Sequence, residues 1–228
     1  TITGLTQDIN SGSWNYVGDI DGNADTYTIK DWGATDYFNL IIGGTNPVTD
    51  SNEIYQMSSA IVNAGSMSFN KGVFNTQNNN LTIATTLNQS TGPATFNAGT
   101  SDVSVGTVFT LGSGTVTFNA GSGTLSTGGN LGIQSTAASA LVTFNASTGP
   151  INVGGNLAMT STNATATSIY NAGSGTLSIT GNVTVSPTTG TGTFNGSSGI
   201  VDINGNFTVS QGAGVGTFVA PSTTMNLA

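Results

Sequence analysis

From residue 74 onward the chain repeats one order of inward and outward positions. An aromatic residue followed by Asn recurs at Phe74-Asn75, Phe96-Asn97, Phe118-Asn119, Phe144-Asn145, Tyr170-Asn171 and Phe194-Asn195, and Phe218-Val219 continues the series. The steps are 22, 22, 26, 26, 24 and 24 residues. Seven and nine residues past each ring come pairs such as Leu81/Ile83, Val103/Val105, Leu125/Thr127 and Ile151/Val153. Thirteen and fifteen past it come Leu87/Gln89, Phe109/Leu111, Leu131/Ile133 and Leu157/Met159. Each pair brackets one residue, usually polar or small. That alternation predicts short strands with one side turned inward.

Turn chemistry falls between the pairs. Asn-Ala-Gly or a close variant follows the ring, as at 97–99, 119–121 and 171–173, and Gly-Asn precedes the third pair at 129–130, 155–156, 181–182 and 205–206. Gly and Asn tolerate the left-handed backbone that sharp corners need. Nearly all length variation falls after the third pair, in segments such as 135–140 and 161–167. Fixed core positions with one variable loop per repeat are the signature of a solenoid. The expected fold is therefore all-β: a parallel β-helix of about 24 residues per coil, with three short strands per coil. Coils at the strand spacing of about 4.8 Å would build a rod about 40–45 Å long, and would stack the repeated Asn side chains into a hydrogen-bonded ladder. The rings of Phe96, Phe118 and Phe144 should share one interior column.

Residues 1–73 keep the register less well. Trp14-Asn15 and Phe38-Asn39 suggest degenerate coils, and Val62-Asn63-Ala64-Gly65 copies the turn motif. This region reads as atypical coils or a capping region, with 74–228 as the regular solenoid.

Composition then removes several function classes. Only 5% of the 228 residues are charged, with 2 Lys or Arg, 10 Asp or Glu, no His and no Cys, for a net charge of −8. An average domain has roughly 25% charged residues. No disulfide framework or thiol chemistry is open to this chain, and the commonest general base is missing. Two cations cannot neutralise a nucleic acid backbone, so no nucleic acid partner is expected. No apolar run is long enough to span a bilayer as a helix.

Units such as Thr117-Phe118-Asn119-Ala120-Gly121-Ser122-Gly123-Thr124-Leu125, followed by Gly129-Asn130-Leu131, resemble the repeats of large bacterial cell-surface β-solenoid proteins of the filamentous haemagglutinin-like adhesin and autotransporter-passenger types. The resemblance covers about residues 74–228. It implies a secreted right-handed parallel β-helix used as a stalk, adhesin or matrix fibre, hence an extracellular or cell-surface location. Such proteins are far longer. The expectation is that this chain is a fragment, or a subunit whose open end stacks on a neighbour.

The main functional expectation is an extracellular structural protein: a solenoid rod that forms or decorates a surface filament, stalk or layer, and self-associates because its faces carry almost no charge. The alternative is an adhesin module that takes a glycan or surface ligand through Trp14, Tyr16, Tyr27, Trp32 and Tyr37, whose competing role is to cap the first coil's core. Asp19, Asp21, Asn23 and Asp25 form a DxDGNxD loop with oxygen ligands at alternate positions, as calcium prefers. The twelfth position is Lys30 where an EF-hand has Glu, and the competing reading is a plain polar turn between strands. An outward rank of Thr95, Thr117, Thr143, Thr193 and Thr217, broken by Val73 and Ile169, allows an ice-binding reading, although Thr also simply suits strands. Catalysis is not expected. Asp102 and Asp202 lie about four coils apart, near 20 Å at the strand spacing, whereas paired-carboxylate chemistry needs about 5–9.5 Å. Sequons at Asn80, Asn88, Asn145, Asn163, Asn182, Asn195 and Asn206 matter only in a host that glycosylates its secreted proteins.

Overall fold

The computed structural model describes residues 10–33, 35–44 and 51–228, with the side chains at 62–64 excepted. Its described residues form parallel strands and turns without helix. The chain is a parallel β-solenoid of about 24 residues per turn, with three strands per coil in three parallel sheets.

The first sheet carries the rings. It stacks nine strands: Thr26–Ile29, Ile54–Met57, Gly72–Asn75, Ala94–Asn97, Val116–Asn119, Leu141–Asn145, Thr167–Asn171, Thr191–Asn195 and Val215–Val219. The second sheet runs from Leu81–Ile83 through Val103–Val105, Leu125–Thr127, Ile151–Val153, Leu177–Ile179 and Val201–Ile203 to Met225–Leu227. The third runs from Thr86–Ser90 through Val108–Gly112, Leu131–Ser135, Leu157–Ser161 and Val183–Val185 to Phe207–Val209. Every pairing is parallel, and in the regular coils it is in register, so like residue stands over like residue.

Registry fixes the core. Phe74, Phe96, Phe118, Phe144, Tyr170 and Phe194 form the expected column, each fully buried. Their centroids lie 4.7–5.3 Å apart, close to the strand spacing, so each ring contacts the next without moving the backbone. Phe109 of the third sheet meets Phe118 edge-on at 4.8 Å and fills the remaining space. Some polar residues at inward positions donate to backbone. Gln89 Nε2 donates to the carbonyls of Ala94 and Thr117, each at 3.0 Å, and Thr127 Oγ1 donates to that of Gly129 at 2.7 Å.

Outside the core, the Asn that follows each ring closes its strand. The turn is carried instead by the glycine two residues on, at φ 62° for Gly99 and φ 72° for Gly121. A Cβ on Gly121 would come within 1.8 Å of the Gly99 carbonyl oxygen, so stacked corners need glycine for closeness as well as for backbone angle. The strand-closing Asn residues form the predicted ladder. Asn97 Nδ2 donates to Asn75 Oδ1 at 2.9 Å, and Asn119, Asn145, Asn171 and Asn195 each donate to the preceding rung at 2.7–2.9 Å. Val219 ends it. A second ladder runs along a corner, where the side-chain oxygens of Asn130, Asn156 and Asn182 accept the backbone N–H of the next coil, each at 2.8 Å.

The early coils depart from the sequence reading in three ways. The ring column continues through Tyr55 and Tyr27, which stand over Phe74 at unequal steps of sequence. Trp14 pairs with Leu40, two residues past Phe38, so the Trp14-Asn15 and Phe38-Asn39 motifs are not in register. The Asn63-Ala64-Gly65 copy of the turn lies inside one straight strand, Ile61–Phe69, whose first half pairs with the second sheet and whose last part pairs with the third. Strands Ser13–Tyr16 and Tyr37–Ile42 stack before it.

Tyr170 is the one hydroxyl within the regular ring column. Its ring lies nearly parallel to Phe144 (5.0 Å, 8°) and Phe194 (5.1 Å, 10°), yet its buried hydroxyl has no hydrogen-bond partner among the described residues. Burial holds the phenol well above its ordinary pKa. Tyr170→Phe keeps the stack and removes the desolvated group. It should stabilise the fold by about 1–2 kcal/mol, read as a higher midpoint in denaturant with unchanged slope.

Candidate functional site

The acids and aromatic side chains singled out in the sequence sit in the early coils. The 19–25 loop joins Ser13–Tyr16 to Thr26–Ile29 and bends at Gly22, φ 83°. It brings Asp19, Asp21 and Asp25 together, with one carboxylate oxygen from each lying within 4.8 Å of the others, and all three residues are exposed. Asn23 lies beside them and is tied to Asp21. Its backbone N–H and its Nδ2 both donate to Asp21, each at 2.8 Å, to Oδ1 and Oδ2 respectively. These bonds, the side-chain one first, hold the Asp21 carboxyl below its ordinary pKa. Three converging carboxylates can meet a hard cation such as calcium, but an ion would compete with Asn23 for both oxygens of Asp21.

Beneath the loop lies a residue that the motif search missed. Glu53 is fully buried, and its Oε2 accepts the Asp25 N–H at 3.2 Å. The Asp25 carbonyl in turn accepts the Ile54 N–H at 2.8 Å. Gly18 passes so close that a Cβ there would lie 2.5 Å from Glu53 Cγ. Burial, reinforced by the Glu53 charge, pushes the neighbouring Tyr55 phenol up to about 12. Asp36 is buried likewise and accepts the Trp32 N–H at 2.6 Å. The signal for Glu53 was strand parity. Glu53, Tyr55 and Met57 alternate with outward Ile54 and Gln56, which turns Glu53 inward.

Four of the five aromatic candidates form one cluster. Trp14 lies 5.0 Å from Trp32 and 6.3 Å from Tyr37, and Tyr16 meets Tyr37 edge-on at 6.4 Å. Lys30 Nζ sits 5.6 Å from the centre of the Trp32 ring, a cation–π contact. Tyr27 stands apart, stacked on Tyr55 at 5.4 Å as the outermost ring of the column. Tyr37 is fully buried, and the others are half-buried against the core.

Three hydrogen bonds close a ring in this cluster. Lys30 N–H donates to Tyr16 Oη at 2.9 Å, and Tyr37 O–H donates to the Lys30 carbonyl at 2.5 Å. The 2.8 Å contact between the two hydroxyls must then use the Tyr16 proton, since Tyr37 has already given its own. Every donor in the ring is matched. Burial, with the Tyr16 hydroxyl second, raises the Tyr37 pKa far above its ordinary value. The cluster thus packs against the core, with its hydroxyls satisfied internally.

The two acids of the repeat region serve the ladders. Asp102 N–H donates to Asn80 Oδ1 at 2.9 Å, and Asp102 Oδ1 accepts the Thr124 N–H at 2.8 Å. Asp202 Oδ1 accepts from Asn226 Nδ2 at 2.5 Å. Of the sequon asparagines, Asn145 and Asn195 are rungs of the half-buried side-chain ladder, and Asn182 is a corner rung. No protein-family model, curated protein or solved structure matches the chain.

Acid should loosen the early coils first. Asp31, like Asp21, titrates below its ordinary 3.8, chiefly through the Ser59 hydroxyl at 2.7 Å and then the Gly33 N–H at 2.7 Å. A carboxyl depressed in the folded state contributes stability that is complete above its ordinary pKa and is lost as pH falls through the folded value. Both tryptophans lie in these coils, so their fluorescence should change below about pH 4, while far-UV circular dichroism, dominated by the repeats, stays level. Simultaneous change in both signals would show that these carboxylates do not hold the early coils separately.

Proposed function

We propose that the chain is a structural element of the cell exterior: a stiff β-solenoid rod that forms or decorates a surface filament, stalk or layer. The observation that carries this reading is the fate of its polar groups. Coil after coil, side-chain amides bond to the coil next door, at the strand ends and again at the corner. Groups used this way stiffen the rod and are not gathered into a concave site. Bending would stretch the backbone ladders and the amide ladders together. The few charges of the repeat region, Asp102 and Asp202, are spent in the same manner.

The extracellular part rests on two supports. The repeat units resemble those of bacterial adhesins and autotransporter passengers, and the chain has neither Cys nor His and only 5% charged residues. Among the described residues no helix is long and apolar enough to cross a membrane. Glycan recognition by the N-terminal rings has less support, because their faces and hydroxyls are engaged with one another and with the core.

Negative-stain electron microscopy of native material, joined to cell fractionation with an antibody to the chain, tests this. Rods at least about 40 Å long, in the surface or secreted fraction, are expected. Compact particles or an intracellular pool would overturn it.

A further inference from the structure

The three faces of the rod are not equivalent. Outward residues of the second sheet are polar, from Thr82 and Ser104 through Asn152 to Asp202 and Asn226. Those of the third are mostly polar or small, as at Asn88, Thr110, Gly132 and Thr184, with Ile41 and Val108 as larger members. The ring sheet differs. Ile54, Val73, Leu141, Ile169, Val215 and Val219 all stand at its outward positions, and Leu141, Val215 and Val219 are 41%, 56% and 48% exposed. Between them stands the threonine rank that includes Thr117 and Thr143. No strand of this sheet contains a charged residue.

We propose that this face docks on the same face of a second copy of the chain, with the two rods antiparallel. The inference rests on the structural reading above and names the surface through which rods associate. Three observations select the occupant. Nine strands at about 4.8 Å, each presenting about 15 Å of width, offer about 600 Å² per copy, or about 1,200 Å² in all, the lower bound of a specific interface. The face is uncharged and mixes those six apolar groups with threonine and with the strand-closing Asn ladder, Asn75 to Asn195, so it matches itself and suits sheet-on-sheet packing at about 10 Å. Charge then sets the direction. Eight of the ten acids precede residue 54, so parallel rods would place two acidic ends side by side. Antiparallel rods separate them by about 40 Å, several times the screening length of about 8 Å at physiological salt.

A two-fold axis along the strand direction satisfies this arrangement. With all nine strands overlapping, the central strand Val116–Asn119 lies on the axis, and Thr117 faces Thr117 of the second copy. Thr193, on the eighth strand, faces Ile54 on the second.

The chain lacks cysteine, so single cysteines report orientation cleanly. With a short bis-maleimide, Thr117→Cys should be captured as a covalent dimer. Thr193→Cys alone should not, and a mixture of Thr193→Cys and Ile54→Cys should give the mixed dimer. In sedimentation velocity from 1 to 100 µM, on the order of typical association constants, the unaltered chain should dimerise. Thr117→Lys, which opposes two charges on the axis, should weaken the dimer on the order of tenfold or more. Thr184→Lys, on the third sheet, should leave it unchanged, and circular dichroism verifies that both variants keep the fold. A monomer throughout, equal capture at positions 117 and 193, or equal weakening by both lysines would overturn the proposal. A monomer that still images as a rod would leave the structural reading standing.

Discussion

No coil of this chain can bury its inward side chains by itself. Three strands of three to five residues enclose too little, so each ring, Leu and Val depends on the coils before and after it. That constraint imposes parallel, in-register stacking, and the stacking decides almost everything else. Identical residues come to lie at the strand spacing, which suits flat rings inside and amides outside. It would be ruinous for like charges, which would stand about 4.8 Å apart in unbroken rows. The near-absence of Lys, Arg, Asp and Glu after residue 54 follows from the geometry. Asn, Thr and Ser are what remains when an outward rank must be polar, strand-compatible and tolerant of its own image. Asp102 shows the limit: a single carboxylate is accommodated because backbone N–H of Thr124 meets it on the following coil.

Tyr170 and Gln89 show how much latitude the core has. Gln89 occupies an inward site where later coils hold Leu111, Ile133 and Met159, and it is admitted because two carbonyls accept from its amide. Tyr170 is admitted without such help, since its ring contributes two near-parallel stacking contacts while its hydroxyl contributes none. The first is a polar group whose amide nitrogen is bonded while its buried Oε1 has no partner among the described residues, the second an apolar surface with a polar burden. The stack tolerates both because each residue is held by neighbours on two sides.

The regular coils were legible because alternation, ring spacing and turn glycines all gave the same register there. Even coils of 22 and 26 residues did not disturb it, since the extra residues fall in one corner. The early coils were not legible, for specific reasons. Tyr27 and Tyr55 carry no following Asn, so they lacked the tag that marks Phe74 to Phe194, and their steps to Phe74 are unequal. Trp14-Asn15 carries the tag but belongs to a different sheet, over Leu40. Asn63-Ala64-Gly65 copies a turn, yet pairing to both neighbouring sheets pulls its strand straight. Of the candidate site, the convergence of Asp19, Asp21 and Asp25 was readable from their spacing. The two bonds from Asn23 to Asp21 were not, because they depend on how the loop closes.

Charge is distributed unevenly along the rod, since eight of the ten acids precede residue 54. In the early coils Asp19, Asp21 and Asp25 converge in one loop, Asp31 accepts from Ser59, and the aromatic cluster packs against the core with its hydroxyls closed in a ring. A second acidic surface brought there would meet repulsion. The flanks offer no such defence, since the ring sheet carries neither charge nor the inward-pointing lysines and bulges by which exposed β surfaces usually avoid one another. In the proposed dimer the acids therefore oppose contact between early coils, while the uncharged ring sheet does not oppose contact with itself.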